Sequence, residues 1–188
     1  MDRDFEVVIA GFGGQGVLFA GMLLAHGALK AGRNVAWIPF YGPEMRGGTA
    51  GCTVIISNDE IGSPIVSRPA AAIVMNEPSL AKWGPRVKPG GILVINRSLA
   101  LSPFERDDLH IVEVPATGIA GSLGSDRMAN MVAVGALLGT LSVLPVDVVS
   151  EVLPEALGPG KERFVEPNRE ALRRGLAAAA QAVGVPMP

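Results

Sequence analysis

Residues 5–30 read FEVVIAGFGGQGVLFAGMLLAHGALK, and this stretch decides the fold. Phe5 to Ala10 is apolar apart from Glu6, as suits a central strand covered on both faces. Val17 to Lys30 is apolar nearly all round a helical wheel. The helix it predicts is therefore buried on more than one side, between a sheet and a neighbour or in a subunit interface. Gly11, Phe12, Gly13, Gly14, Gln15 and Gly16 form the crossover between the two. A strand that passes through a glycine-rich turn into a helix leaves backbone N–H groups unpaired at a positive dipole end. An anion, a carboxylate or a polar loop can dock there. Gly32, just past Lys30, supplies the helix stop.

The turn fits the dinucleotide pattern G-x-G-x-x-G through Gly11, Gly13 and Gly16. A nicotinamide or flavin site also needs an acid at the end of the second strand, about 20 residues on, to hold the ribose hydroxyls. Here that stretch is Asn34 to Tyr41 and ends without one; Glu44 comes later, beyond Pro43. A structural crossover is the simpler reading. A stand-alone dinucleotide-binding protein built on the Gly11–Gly16 turn is the alternative.

Working outward, Val35 to Ile38 is expected as a second strand, parallel to the first through a right-handed crossover. The loop YGPEMRGG at 41–48 follows it. It joins an aromatic, a carboxylate and an arginine among glycines, a mixture suited to Arg46 gripping an anion while Gly47 and its neighbours expose N–H groups. Its place after strand two predicts that it shares the carboxyl-end edge of the sheet with the first turn. Thr49 to Ser57 reads as a strand, and Asn58-Asp59 predicts a hairpin into residues 60–66. Ala70–Met75, Ile92–Ile95 and His110–Val114 read as further strands, and Glu77–Trp83 as a helix entered through Pro78. Thr117–Asp126 reads as a Gly/Ser-rich link whose Asp126 caps a helix over Arg127–Ser142. Pro145–Leu157 and Pro167–Val183 complete the helices. Asn130 is either an ordinary early-helix polar residue or a hydrogen-bond partner of a loop carried by the sheet. The fold class expected is α/β, a three-layer α/β/α domain over residues 1–188 with a mostly parallel, partly mixed sheet and a Rossmann-like start.

The composition, 48% hydrophobic and 18% charged over 188 residues, suits one domain with a full core, and its shortage of charge points to a partner. A formal net charge of −2 with scattered Lys and Arg gives no basic patch for nucleic acid. A charged N-terminus that leads straight into a strand carries no secretory pattern, and the longest apolar stretch, Met128–Leu144, is short for a membrane span. A cytoplasmic location follows as the expectation. The single cysteine, Cys52, excludes an internal disulfide and a four-thiolate iron–sulfur cluster. His26 and His110 have no carboxylate at metal-ligand spacing.

GFGGQG at 11–16, YGPEMRGG at 41–48, VIISNDEIGSP at 54–64, VMNEPS at 74–79, and ANM at 129–131 with a following Gly135 form a set of blocks along the chain. Together they resemble the gamma subunit of the 2-oxoacid:ferredoxin oxidoreductases, the superfamily of pyruvate, 2-oxoglutarate, branched-chain and indolepyruvate enzymes. The Glu166–Gly175 segment is a looser echo. The resemblance implies a component of an enzyme that turns a 2-oxoacid and coenzyme A into an acyl-CoA, carbon dioxide and reduced ferredoxin. It implies that thiamine diphosphate, Mg and the iron–sulfur clusters belong to alpha, beta and, where present, delta partners. This chain would then bind no cofactor firmly, hold no catalytic residue or metal, and be inactive alone. Its contribution would be to pack through the apolar first helix and to present its loops. Gly13, Gly14, Gln15, Gly16, Arg46 and Gly47 are the residues expected to touch coenzyme A or a neighbouring subunit. The lone cysteine and the lack of a Gly-Asp-Gly motif followed by Asn agree with that division of labour.

Overall fold

The computed structural model describes residues 4–42, 49–140 and 144–183. Six strands form one sheet: β1 (Asp4–Phe12), β2 (Asn34–Tyr41), β3 (Thr49–Ser57), β4 (Ala71–Val74), β5 (Ile92–Asn96) and β6 (His110–Val114). Their order is β2-β3-β1-β4-β5-β6. The β1–β4, β4–β5 and β5–β6 pairs are parallel, whereas β3 runs antiparallel to both β1 and β2. The sheet is thus mixed, with its parallel part on one side of β1.

One face is covered by α1 (Val17–Lys30), α3 (Ala116–Ser122), α4 (Ala129–Thr140), α5 (Val146–Glu151), α6 (Leu153–Leu157) and α7 (Val165–Val183). The other carries α2 (Glu77–Trp83). Strand alternation sends Val7 and Ile9 into the first core and Val8 and Ala10 into the second, where Leu80 and Trp83 of α2 meet them. Among the described residues no helix is long and apolar enough to cross a membrane.

α1 begins and ends where its sequence predicts. Arg33 N–H donates to Ala28 O at 3.0 Å and Gly32 N–H to Leu29 O at 2.9 Å, a Schellman closure that needs Gly32 at φ +74°. The helix spends most of its apolar surface inside the chain: Ala20, Leu23, Leu24 and Ala28 are buried. Leu18, Phe19, Met22 and Leu29 are the apolar side chains it leaves at least partly open, so its packing is first of all internal.

The strand pairing corrects two expectations. β2 does run in the direction of β1, but β3 lies between them. The hairpin is β2–β3 rather than β3 with residues 60–66, which form no strand. Both edges of β3 are already taken, and Pro64 could not donate to a ladder. Gly51 makes this pairing possible, because the Phe40 ring lies over it: a Cβ there would fall 2.5 Å from that ring. Phe40 goes on to pack against Trp83, with ring centroids 5.7 Å apart.

Helix boundaries differ for equally local reasons. Residues 116–122, expected as part of a link, form α3 because distant groups cap it. Asn96 Oδ1 accepts from Thr117 N–H at 3.3 Å and Ser98 Oγ from Gly118 N–H at 3.2 Å. Ser125, not Asp126, caps the next turn, its Oγ accepting from Arg127 N–H at 3.4 Å. The helix expected over Pro145–Leu157 is split into α5 and α6, with Pro154 just inside the second.

Gly21 seats α1 on β3. A Cβ there would lie 2.2 Å from Cys52 Sγ and 3.0 Å from Trp37 Nε1. The Cys52 thiol donates to Val17 O at 3.4 Å, and burial pushes its pKa up to about 12, against the lowering by hydrogen bonds from Trp37 and Gly21. It is expected to resist iodoacetamide in the native protein at mildly alkaline pH and to react fully once unfolded in urea. Mass spectrometry checks this, and fast labelling of the native chain would contradict the packing.

Candidate functional site

The carboxyl ends of β1, β4 and β5 meet at one edge of the sheet. β1 runs on into α1 over one face, and β4 into α2 over the other, so the chain parts at the β1/β4 boundary. In open α/β sheets, this is where a ligand crevice forms. Here a side chain fills it. Gln15 Oε1 accepts from Phe12 N–H at 2.7 Å and from Asn76 Nδ2 at 3.3 Å, while Gln15 Nε2 reaches Met75 O at 3.4 Å. Asn76 Oδ1 caps α2 by accepting from Ser79 N–H at 3.0 Å. Asn96 Nδ2 donates to Met75 O at 3.3 Å and to Thr117 Oγ1 at 3.0 Å. Three carboxamides therefore lace β1, β4, β5, α2 and α3 together at this edge.

The six turn residues have separate tasks. Gly11 leaves room for the Gln15 carboxamide, whose oxygen would lie 2.4 Å from a Cβ at that position. Gly14 and Gly16 adopt φ of +93° and +70°, which L side chains rarely adopt. Gly16 also lies under Asn130, which settles the two readings of that residue: Nδ2 of Asn130 donates to Gly16 O at 2.9 Å, tying α4 to the turn. Gly13 and Gly14 are exposed, and a Cβ on either would meet nothing within 4 Å. Of the predicted contact residues, then, Gln15 is a brace within the chain, Gly16 is covered by Asn130, and Gly13 and Gly14 face open space.

Arg46 and Gly47 lie outside the described residues. The flanks of their loop do not: Gly11 pairs with Ala50, which pairs with Tyr41, and Gly42 N–H donates to Thr49 O at 2.6 Å. The loop therefore leaves from the same edge as the glycine turn, as its position after β2 predicts. The topology also answers the dinucleotide alternative. With β3 inserted, the end of β2 stands two strand spacings, about 10 Å, from β1, and it carries no acid. Among the described residues, the end of β2 therefore brings no ribose partner of a dinucleotide site beside this turn. Among the described residues no group of three His, Cys, Asp or Glu could hold a metal ion.

The fold as a whole recurs in known proteins. Residues 6–178 match the family model described as pyruvate ferredoxin/flavodoxin oxidoreductase. The chain belongs to that family. It is similar to the ketoisovalerate oxidoreductase subunit VorA of Methanothermobacter marburgensis, with 38% identity over 92% of this chain, and spans 36% of that relative's length. It is 34% identical to the 2-oxoglutarate synthase subunit KorC of the same organism, covering 90% of this chain and 94% of the relative. Among solved structures, the keto/oxoacid ferredoxin oxidoreductase gamma subunit of Geobacter sulfurreducens superposes with a TM-score of 0.83 at 27% identity, over 95% of this chain and 98% of that one. The 2-oxoglutarate:ferredoxin oxidoreductase of Magnetococcus marinus, solved with 2-oxoglutarate, coenzyme A and succinyl-CoA bound, superposes with a TM-score of 0.86 at 25% identity, over 96% of this chain and 32% of that one. The chain is thus a gamma-type subunit domain of the 2-oxoacid:ferredoxin oxidoreductases. It spans about a third of the ketoisovalerate relatives and nearly the whole of the 2-oxoglutarate ones.

Proposed function

We propose that this chain is the gamma component of a multi-subunit enzyme that oxidatively decarboxylates a 2-oxoacid to an acyl-CoA and carbon dioxide and reduces ferredoxin. Its own part is to pack against the alpha and beta subunits, and a delta subunit where there is one, and to present the Gly13–Gly16 turn and the Arg46–Gly47 loop toward them and toward coenzyme A. The observation that carries this reading is the turn itself. Gln15 fills the crevice behind it and Asn130 grips it from the side, so Gly13 and Gly14 are held rigid and outward with nothing of the chain against them. Uncovered backbone at such a turn suits close approach by an anionic group or by another backbone.

The chemistry of the remaining groups agrees. A single thiol, buried and with its pKa raised, is no ligand set for an iron–sulfur cluster, so electron transfer falls to partner subunits. The isolated chain is inactive in this reading. Turnover appears when it joins subunits that bring thiamine diphosphate, Mg and clusters.

Gly13→Trp tests the proposal. Gly13 has an ordinary negative φ and open surroundings, so the variant is expected to keep its melting temperature, with a stability change within about 0.5 kcal/mol. In the reconstituted complex it is expected to lower 2-oxoacid- and coenzyme A-dependent viologen reduction by about tenfold or more, since a bulky ring cannot fit where a backbone is meant to meet its partner. Full activity with Gly13→Trp would remove the turn from the working surface.

A further inference from the structure

On the helical face, beside the glycine turn, lies a groove of about 690 Å³. Phe19 and Met22 of α1 form one wall, Phe164 just before α7 and Pro167 in its first turn the other. Three cations stand on it: Arg127, Lys161 and Arg163, all exposed. Resting on the reading of this chain as a subunit, we infer that the groove seats an acidic segment of a partner subunit, anchored by apolar side chains.

Charge is the first argument. Lys30, Lys88, Arg97 and Arg106 each hold a carboxylate, but none of the three groove cations has an ion pair among the described residues. No Asp or Glu lines the groove, although the chain as a whole carries a formal charge of −2. Cations gathered from separate segments and left without counter-charges call for an anionic occupant. Arg163 is also held in place, its guanidinium 4.7 Å from the Phe164 ring centroid.

The second argument separates a protein segment from a small anion. Small-ligand sites turn a few buried polar groups toward the ligand. The two buried carboxamides here, Asn130 and Asn168, instead each donate an N–H within this chain, at 2.9 Å to Gly16 O and 2.7 Å to Phe164 O. What remains for an occupant is mostly apolar surface, with Phe164 43% exposed, edged by Arg and Lys and by the exposed glycines Gly14 and Gly124. An apolar centre with a charged rim, rich in Arg, Met and Phe, is the anatomy of a protein interface.

The test uses the whole complex. The triple variant Arg127→Glu, Lys161→Glu, Arg163→Glu changes only exposed side chains, and a wild-type circular dichroism spectrum confirms that it folds. The concentration of variant chain needed to restore acceptor reduction to the remaining subunits is expected to rise about tenfold or more. Its dependence on salt should weaken, while KM for coenzyme A at saturating chain stays unchanged. In the wild-type complex, a photo-crosslinking side chain in place of Phe164 is expected to capture a partner subunit at a peptide rich in Asp or Glu. An unchanged titration overturns the inference. So does a raised KM for coenzyme A with assembly intact, which would make the groove a small-anion site. If the wild-type chain restores no activity at all, the subunit reading itself fails and takes the inference with it.

Discussion

Replacing Gly135 or Gly175 by alanine is expected to cost about 3 kcal/mol and to lower the melting temperature by roughly 6–12 °C. These glycines lie where α4 and α7 cross, and each is pressed against the other helix's backbone. A Cβ on Gly135 would sit 2.0 Å from Leu172 O, and one on Gly175 would sit 1.9 Å from Val132 O. Alanine is the better helix former by about 1 kcal/mol, so a propensity argument alone predicts stabilisation. The contact overrides it, because a carbonyl fixed in a helix cannot rotate away as a side chain can. The helices must separate, and the close packing around buried Met131, Leu137 and Leu172 opens with them. Gly139 is the control on the same helix. Its nearest neighbours are the Ala179 methyl at 3.3 Å and Leu176 O at 3.3 Å, so Gly139→Ala is expected to be close to neutral. A differential scanning melt of the three single variants decides the matter; a Gly135→Ala chain that melts at or above the wild type would refute the contact.

That crossing shows which features the amino-acid order discloses and which it hides. α1 and its turn are legible because their determinants are neighbours: an apolar run, glycines at the turn, and Gly32 placed to close the last carbonyls. β6 is legible for the same reason, a short apolar run ended by Pro115. The pairing of β3 is not, since Thr49–Ser57 carries no mark that says which side of β1 it joins. α3 was hidden because its first N–H groups are satisfied by Asn96 and Ser98, some twenty residues earlier in the chain. Gln15 shows the same limit at the site. It sits inside a motif that suggests ligand contact, yet the carbonyl and the amide it engages belong to Met75 and Asn76, 60 and 61 residues away. The groove cations come from two local segments, Arg127 just before α4 and Lys161 with Arg163 just before α7, and become a set only when the chain folds. Asn130 is a distant contact that the sequence leaves as one of two readings, and its burial decides between them, because a buried amide needs a partner.

The Gly16–Asn130 contact carries the other large effect, and a double-mutant cycle reads it. Gly16→Ala is expected to cost about 3–4 kcal/mol and to abolish most activity of the reconstituted complex. Two terms add. A residue with a Cβ at φ +70° costs about 1–2 kcal/mol. The methyl would also lie 2.4 Å from Asn130 Nδ2, driving that amide off Gly16 O and stranding it where the residue is only 5% exposed. Asn130→Ala alone keeps the glycine geometry but loses the 2.9 Å bond, for about 1–2 kcal/mol. Independent sites would make the double variant's loss the sum of the two. If the amide is what the new methyl strikes, removing it relieves the overlap, and the double variant should be more stable than that sum by about 1–2 kcal/mol. Activity should not recover in parallel, because the turn would still lack its tie to α4. Urea unfolding of the four proteins measures the first statement, and acceptor reduction by the four complexes measures the second. Simple additivity would mean that the backbone angle alone sets the cost of Gly16→Ala. Full activity in the double variant would mean that the turn needs no grip from α4 to present Gly13 and Gly14 to its partner.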